Sequence, residues 1–250
     1  MSTSPQQDAE QDAPCELLGW DSEFFGVETA RVKGDSLTSG RVEEIDRWCK
    51  ENKIKWLYFL ARSDDAETVK CAERSGFELV DVRVTYDRSV ADVDWPVSNV
   101  KAYTTADWPA ISDIAYASYV DSRFYYDGGI PRDTCDRLYH FWTAQSCGGN
   151  AGHQAWVARD EAGTPTGYVI CHADTNPGWG KIGLIGVDRA ARGKGVGARL
   201  VQAALGWAKN QGLASMTVVT QGRNIAAQRL YQRCGFMLRA QQLYYHKWYE

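Results

Sequence analysis

The sequence predicts a mixed α/β (α+β) protein, and three observations carry that expectation. Helical and strand periodicities alternate along the chain. The composition, 250 residues with 44% hydrophobic and 24% charged, is that of a chain that folds around a buried core. From Gln154 onward, three strand-like runs are joined by short turns in the manner of an antiparallel meander, after which helix and strand alternate again.

Taken in order, Cys15 to Leu18 and Thr29 to Val32 read as short strands around a compact Trp20–Gly26 segment. Val42, Ile45, Trp48 and Cys49 share one face of a helix spanning Val42 to Lys50. Ile54 to Leu60 is a strand, Ala66 to Arg74 a helix, and Phe77 to Tyr86 a strand with alternating apolar positions. Asp92, Asp94 and Pro96 mark a linker. Beyond it, Val100 to Tyr103 is a strand, and Thr105 or Asp107 caps a helix running to Tyr119. Asp121 to Pro131 has loop chemistry and leads into a helix from Arg132 to Ser146. The meander strands are Gln154 to Arg159, Thr166 to Ala173 and Lys181 to Val187. Helix Gly195 to Asn210, strand Ser215 to Thr220, helix Ile225 to Cys234 and strand structure up to Trp248 close the chain. The expected organisation is a mobile polar tail over 1–14, an N-terminal α/β domain over 15–90, a linker over 91–99 and a catalytic domain over 100–250.

A formal charge of −4 gives no basic field for nucleic acid or anionic lipid, so a polyanionic ligand must meet a local site. The longest apolar stretch, Trp56 to Ala61, is far short of the ~20 residues that span a bilayer, so no membrane span is expected. The start of the chain lacks the basic and apolar regions of a secretory signal, and the protein is expected in the cytoplasm. Its 7 cysteines are odd in number and include no CxxC pair, which fits packed, reduced thiols, and its 4 histidines include no close pair at metal-ligand spacing. The expectation is therefore no disulfide and no metal.

One internal comparison stands out. Lys70–Leu79 aligns with Arg229–Leu238, each being the end of a helix followed by Gly-Phe and a strand. The N-terminal domain could thus be a degenerate half-repeat, although helix-Gly-Phe-strand is also a common way to leave a helix. Ala72 stands where the second copy has Tyr231, so only the second carries a hydroxyl there.

The strongest chemical signal is the turn Asp188-Arg189-Ala190-Ala191-Arg192-Gly193-Lys194-Gly195-Val196-Gly197 between a strand and an amphipathic helix. Glycines here let an anion approach successive backbone N–H groups at a helix N-terminus, and Arg189, Arg192, Lys194 and Arg199 add local charge. A tight turn with a solvated basic edge would use the same residues. No GxxxxGK[ST] loop is present, and the glycine spacing does not suit a dinucleotide turn.

The run Arg192 to Gly197, an Arg, two residues, Gly, one residue and Gly, resembles the acetyl-CoA loop of the GNAT superfamily of N-acetyltransferases. Asn224-Ile225-Ala226-Ala227-Gln228-Arg229-Leu230-Tyr231 followed by Gly235-Phe236 resembles the same superfamily's ending. The resemblance implies the GNAT fold, a mixed and mostly antiparallel central sheet with two splayed parallel strands, here Ile182–Val187 and Met216–Thr220. It implies acetyl-CoA as co-substrate. Backbone N–H groups of Gly193, Lys194, Gly195, Val196, Gly197 and Ala198 would hold its pyrophosphate, Arg192 and Val187 would also border the cofactor, and Asn224 would hydrogen-bond the pantetheine arm. Tyr231 would sit by the thioester sulfur as the acid that protonates the departing thiolate. A packing role near the helix end is the plain alternative for Tyr231.

A narrower resemblance is scattered over nearly the whole chain. Trp20-Asp21-Ser22-Glu23-Phe24-Phe25-Gly26, Ser122-Arg123-Phe124, Tyr139-His140-Phe141-Trp142, Thr220-Gln221 and the aromatic end Tyr244–Tyr249 are similar to the dTDP-fucosamine acetyltransferase family. That family acetylates the 4-amino group of a nucleotide-linked amino-deoxy sugar for surface polysaccharides. The acceptor implied is a small-molecule amine on a nucleotide sugar, attacked directly in a ternary complex. Arg123 could meet the diphosphate, with Phe124 and Tyr125 as an aromatic wall and Arg132 as a second cation. A structural ion pair for Arg123 and a core role for Phe124 are the plain alternatives. Asp188, His172 and Asp174 are candidate bases, though each could be a solvated or capping residue, and a water chain would also serve. A peptide N-terminal or antibiotic acetyltransferase, or a non-catalytic acyl-CoA-binding module, would share the loop. The aromatic-rich C-terminal strand could serve as the interface of a homodimer.

Overall fold

The computed structural model describes residues 13–93, 96–148 and 152–250. Of the expected tail over 1–14, residues 1–12 lie outside the described residues, as do 94–95 of the expected linker. The chain runs β1 (Cys15–Leu17), α1 (Gly19–Phe25), β2 (Thr29–Val32), α2 (Ser39–Glu51), β3 (Trp56–Arg62), α3 (Ala66–Arg74) and β4 (Glu78–Ser89). It continues through β5 (Val100–Ala102), α4 (Trp108–Ser118), α5 (Arg132–Cys147), β6 (Gln154–Arg159), β7 (Pro165–Ala173) and β8 (Trp179–Val187). It ends with α6 (Val196–Asn210), β9 (Ser215–Gln221), α7 (Ile225–Arg233) and β10 (Met237–Trp248). No helix among the described residues is long and apolar enough to cross a membrane.

Two sequence expectations change in detail. The compact Trp20–Gly26 segment is itself a helix, α1, held by the Ser22 hydroxyl donating to the Leu18 carbonyl at 2.9 Å. Asp107 holds the cap position of α4 but makes no side-chain cap bond to it, and the capping side chain is that of Thr104, at the start of the 3-10 turn Thr105–Asp107 that leads into the helix. Asp107 closes the box instead, its Oδ2 accepting from the Thr104 N–H at 2.9 Å, while Arg159 donates to its other oxygen.

The described residues divide into two compact units, one within 13–83, 126–130 and 241–250, the other within 84–125 and 131–240. The division falls inside β4 and β10, and the stretch expected to be a linker lies within the span of the second unit.

In the first unit the strand order is β1-β2-β3-β10, with β2 parallel to β3 and the other neighbours antiparallel. Alternation along β3 separates two faces. Leu57, Phe59 and Ala61 pack with Val42, Ile45 and Cys49 of α2 and with Ala72, Phe77 and Tyr245. Trp56 and Tyr58 face the other way, where Trp56 stacks on Trp248 at 4.9 Å and Tyr58 on His246 at 4.8 Å. The Asp127 carboxylate anchors that face, accepting from Trp56 Nε1 at 3.0 Å, Trp248 Nε1 at 2.8 Å, the Gly129 N–H at 2.9 Å and His246 Nδ1.

In the second unit the order is β4-β9-β8-β7-β6-β5. Strands β6 to β8 form the expected antiparallel meander, β5 adds antiparallel to β6, and α6 returns the chain so that β9 lies parallel to β8. Ile111, Ile114 and Ala115 of α4 cover Ala155, Val157, Tyr168 and Ile170 on one face. On the other face α6 approaches so closely that a Cβ on Gly167 would stand 3.0 Å from Leu200 Cδ1 and 3.1 Å from Val196 Cγ1.

The two aligned segments leave their helices alike. The Phe77 N–H bonds the Ala72 carbonyl at 3.1 Å and the Phe236 N–H bonds the Tyr231 carbonyl at 3.0 Å, and both phenyl rings are buried. The helices that start after β2 and β8 differ in a way that bears on function. The N-terminus of α2 is closed by the Thr38 side chain, which accepts from the Arg41 N–H, whereas α6 begins at Gly195 with no side-chain cap.

Candidate active site

The parallel pair β8 and β9 opens partway along. Its register runs from Trp179↔Ser215 to Ile182↔Val218 and ends there, while both strands continue. Where pairing stops, β8 carries an extra residue. Ile170 opposes Leu184 and Cys171 opposes Ile182, leaving Gly183 as a bulge. A bulge bends its strand and increases its twist, which accounts for the parting of β8 from β9.

Beyond the parted strands lies the glycine loop. The Asp188 carboxylate accepts from the Ala190 N–H at 2.8 Å and shapes the first turn, so this candidate base is a capping residue. Arg192 Nε then donates to the Val187 carbonyl at 3.2 Å, and Arg192 to Gly195 are exposed. Gly193 and Gly195 both sit at φ +77°, the left-handed region where a side chain costs about 1 kcal/mol or more. A Cβ on Gly193 would meet nothing within 4 Å, so the space over the loop is open. Gly197 serves packing instead, because a Cβ there would stand 3.0 Å from Leu230 Cδ2, and its absence lets α6 and α7 meet closely.

The first bond inside α6 is from the Arg199 N–H to the Gly195 carbonyl at 3.1 Å. The N–H groups from Gly195 to Ala198 therefore have no partner within the helix, and with no side-chain cap they are open to an anion. Arg199 borders them, bonding the Lys194 carbonyl through Nη1 at 3.3 Å while its buried Nε makes no hydrogen bond. This donor set and open space fit the pyrophosphate of an acyl-CoA.

Helix α7 supplies the next two residues. Asn224 Oδ1 accepts from the Ala227 N–H at 3.0 Å, which starts the helix and commits the carbonyl end of the amide. Gln228 braces the turn, donating to the Gly222 carbonyl at 2.7 Å and accepting from the Tyr86 hydroxyl at 3.2 Å. Tyr231 is buried, its ring 6.2 Å from that of Tyr86 and 5.9 Å from that of Phe236. Burial, aided by nearby Cys234, pushes its phenol well above the ordinary tyrosine range, so it holds its proton at neutral pH. Sequence reasoning missed the neighbouring hydroxyl chain. Thr143 donates to the Tyr139 carbonyl at 2.7 Å, so it accepts from Tyr168 at 3.2 Å, which in turn accepts from Tyr119 at 2.9 Å.

The structure brings Arg123, Phe124 and Tyr125 together on a single 3-10 turn. Phe124, however, is not the expected exposed wall: it is fully buried, edge-on to Trp142 at 6.3 Å. A ring of that size contributes more to the core, and Arg123 lies over its face at 4.1 Å. Tyr125 donates its hydroxyl to Asp136 at 2.6 Å and lies under Arg132 at 5.3 Å, so both sequence-predicted cations border this turn.

Of the remaining candidate bases, Asp174 accepts from the Thr175 hydroxyl at 3.0 Å and the Asn176 N–H at 3.2 Å, shaping a turn. His172 differs. It stacks on His153 at 4.9 Å, and burial with the nearby His153 and Lys181 charges pulls its pKa down to about 4. Among the described residues no group of three or more His, Cys, Asp or Glu could hold a metal ion.

Comparison with known proteins adds to this geometry. The family model described as the acetyltransferase (GNAT) family matches residues 108–236. The chain is similar to dTDP-fucosamine acetyltransferase of Escherichia coli O6:H1, with 30% identity over 230 residues, covering 89% of this chain and 93% of that protein. It is similar over a shorter stretch to the spore coat polysaccharide biosynthesis protein SpsD of Bacillus subtilis, 27% identical over 57% of this chain and 48% of the relative. In fold it is similar to a GCN5-related N-acetyltransferase from Sphaerobacter thermophilus, with a TM-score of 0.64 and 16% identity over 94% of this chain and 76% of that one. The chain belongs to the acetyltransferase (GNAT) family and is an acetyl-CoA-dependent N-acetyltransferase.

Proposed function

We propose that the acceptor is the 4-amino group of a nucleotide-linked amino-deoxy sugar. The observation that carries this reading is the extent of the similarity to dTDP-fucosamine acetyltransferase. It covers 89% of the chain, so it takes in the first unit as well as the region of the family model. The protein's place would then be in surface-polysaccharide synthesis, within the cytoplasm.

In this reading the N–H groups from Gly193 to Ala198 bind the acetyl-CoA pyrophosphate, and Arg192 and Arg199 hold the loop around it. Acetyl-CoA supplies an activated acyl carbonyl. The parted strands past Ile182 and Val218 receive the pantetheine arm, with the amide nitrogen of Asn224 as donor to it. Tyr231, kept protonated by burial, gives its proton to the sulfur as the C–S bond breaks, where negative charge develops. Arg123 and Arg132 attract the acceptor's diphosphate, which an acidic chain otherwise repels.

A competition experiment tests the acceptor. Free dTDP should inhibit competitively against the amino sugar and not against acetyl-CoA. Absence of inhibition at millimolar dTDP would count against a nucleotide-linked acceptor.

A further inference from the structure

His172 and Gly183 are neighbours across β7 and β8, and their relationship points to a role for the histidine. A Cβ on Gly183 would stand 2.9 Å from His172 Cε1 and 3.2 Å from Nδ1, so the imidazole lies against the bulge itself. The bulge follows the last paired residues of the parallel strands, Ile182↔Val218. That is the closed end of the opening whose far end leads, past Val187, to the uncapped glycine turn. A pantetheine arm entering from that turn would place its acyl end there.

The imidazole is also chemically uncommitted. Its Nδ1 is buried with no hydrogen-bond partner, and so is that of His153 stacked behind it. The other two candidate bases, Asp188 and Asp174, use their carboxylates to shape turns. We infer that His172 takes the proton from the acceptor nitrogen during acetyl transfer.

This rests on the proposed placement of the acyl end and of Tyr231. The acceptor nitrogen attacks the thioester carbonyl carbon. The C–N bond forms, and the C–S bond breaks with its electron pair on sulfur. The N–H proton passes to His172, and Tyr231 supplies the S–H proton. Solvent then carries a proton from the imidazolium to the phenolate, so amine and thioester become amide and thiol with nothing left over. The charged groups that act on His172 are His153, Lys181 and Asp174. Burial, which is the largest influence, acts with the first two against its protonation, and only Asp174 favours it, so at neutral pH the ring is neutral and has a lone pair to offer.

The test is His172→Ala with added imidazole, following free thiol at saturating acetyl-CoA. The expected result is a kcat lowered about 100-fold or more, unchanged acetyl-CoA affinity by calorimetry, and recovery of at least tenfold with imidazole. A loss smaller than threefold, or a loss that imidazole does not relieve, overturns the assignment. If the wild-type enzyme acetylates none of the nucleotide sugars, the acceptor reading has failed instead, and the same rescue is read on whichever amine the enzyme does acetylate.

Discussion

Arg192 Nε donates to the Val187 carbonyl at 3.2 Å, so the residue that opens the glycine loop is tied to the end of the strand that leads into it. The loop therefore starts from a fixed point and then turns through two left-handed glycines, Gly193 and Gly195. Gly195→Asp puts both backbone strain and a negative charge in the loop. Acetyl-CoA affinity should fall by about two orders of magnitude, roughly 3 kcal/mol. Gly195→Ala should show the strain alone, with about 1 kcal/mol lost from folding stability. Calorimetric titration and denaturant unfolding separate the two effects, and unchanged acetyl-CoA affinity in folded Gly195→Asp would move the cofactor site elsewhere.

Tyr231→Phe removes the phenolic proton and keeps the ring between Tyr86 and Phe236. Its kcat should fall by about 10²- to 10⁴-fold while acetyl-CoA affinity stays near that of the wild type. Steady-state rates paired with calorimetry check this. A kcat within a few-fold of wild type would leave Tyr231 as a packing residue.

Arg123→Ala should raise the acceptor KM at least tenfold and change the acetyl-CoA KM little. With the same amino sugar lacking its nucleotide, the variant and the wild type should be equally poor. Damage to the turn would penalise both acceptors alike, so the comparison isolates the lost phosphate contact.

Asp127 is expected to matter for stability. Burial raises its carboxyl, but the bonds from His246, the Gly129 N–H and Trp248 outweigh that and hold it below the usual carboxylate range. A depressed folded pKa stabilises the fold above the unfolded value, about 3.9, and that contribution is lost as pH falls through the folded pKa. Asp127→Ala leaves the Trp56, Trp248, Gly129 and His246 donors without their acceptor and should cost about 3–5 kcal/mol. Urea unfolding at pH 7 and pH 3 measures both effects, and the wild type's excess stability over the variant should shrink at the lower pH.

The parts of the site that were legible in the sequence are those whose chemistry is local. The uncapped glycine turn follows from glycine spacing before an amphipathic helix, and α3, β6 and α6 match their periodic patterns almost residue for residue because each buries one regular face. What needed the structure depends on partners far along the chain. Phe124 looked like a surface aromatic beside Arg123, and only its packing on Trp142 shows it to be core. His172 could not be separated from Asp174 and Asp188 until the two carboxylates were seen capping turns. The Gly183 bulge had a signal, a glycine inside an apolar strand, but its meaning comes from the register with β7. Asp127 lies in a loop-like Asp-Gly-Gly run, and nothing local marks it as the acceptor for two distant tryptophans.

Acetyl transfer to the amine of a nucleotide-linked sugar is open to direct product analysis. The enzyme is incubated with acetyl-CoA and, separately, dTDP-linked 4-amino-4,6-dideoxyhexoses, the same sugars without nucleotide, and peptides with free N-termini. Thiol release is followed and the product identified by mass. The expected product is a nucleotide sugar heavier by one acetyl group, formed with a kcat/KM at least 100-fold above that for either other class. Efficient acetylation of peptide amines, with none of the nucleotide sugars modified, would contradict it.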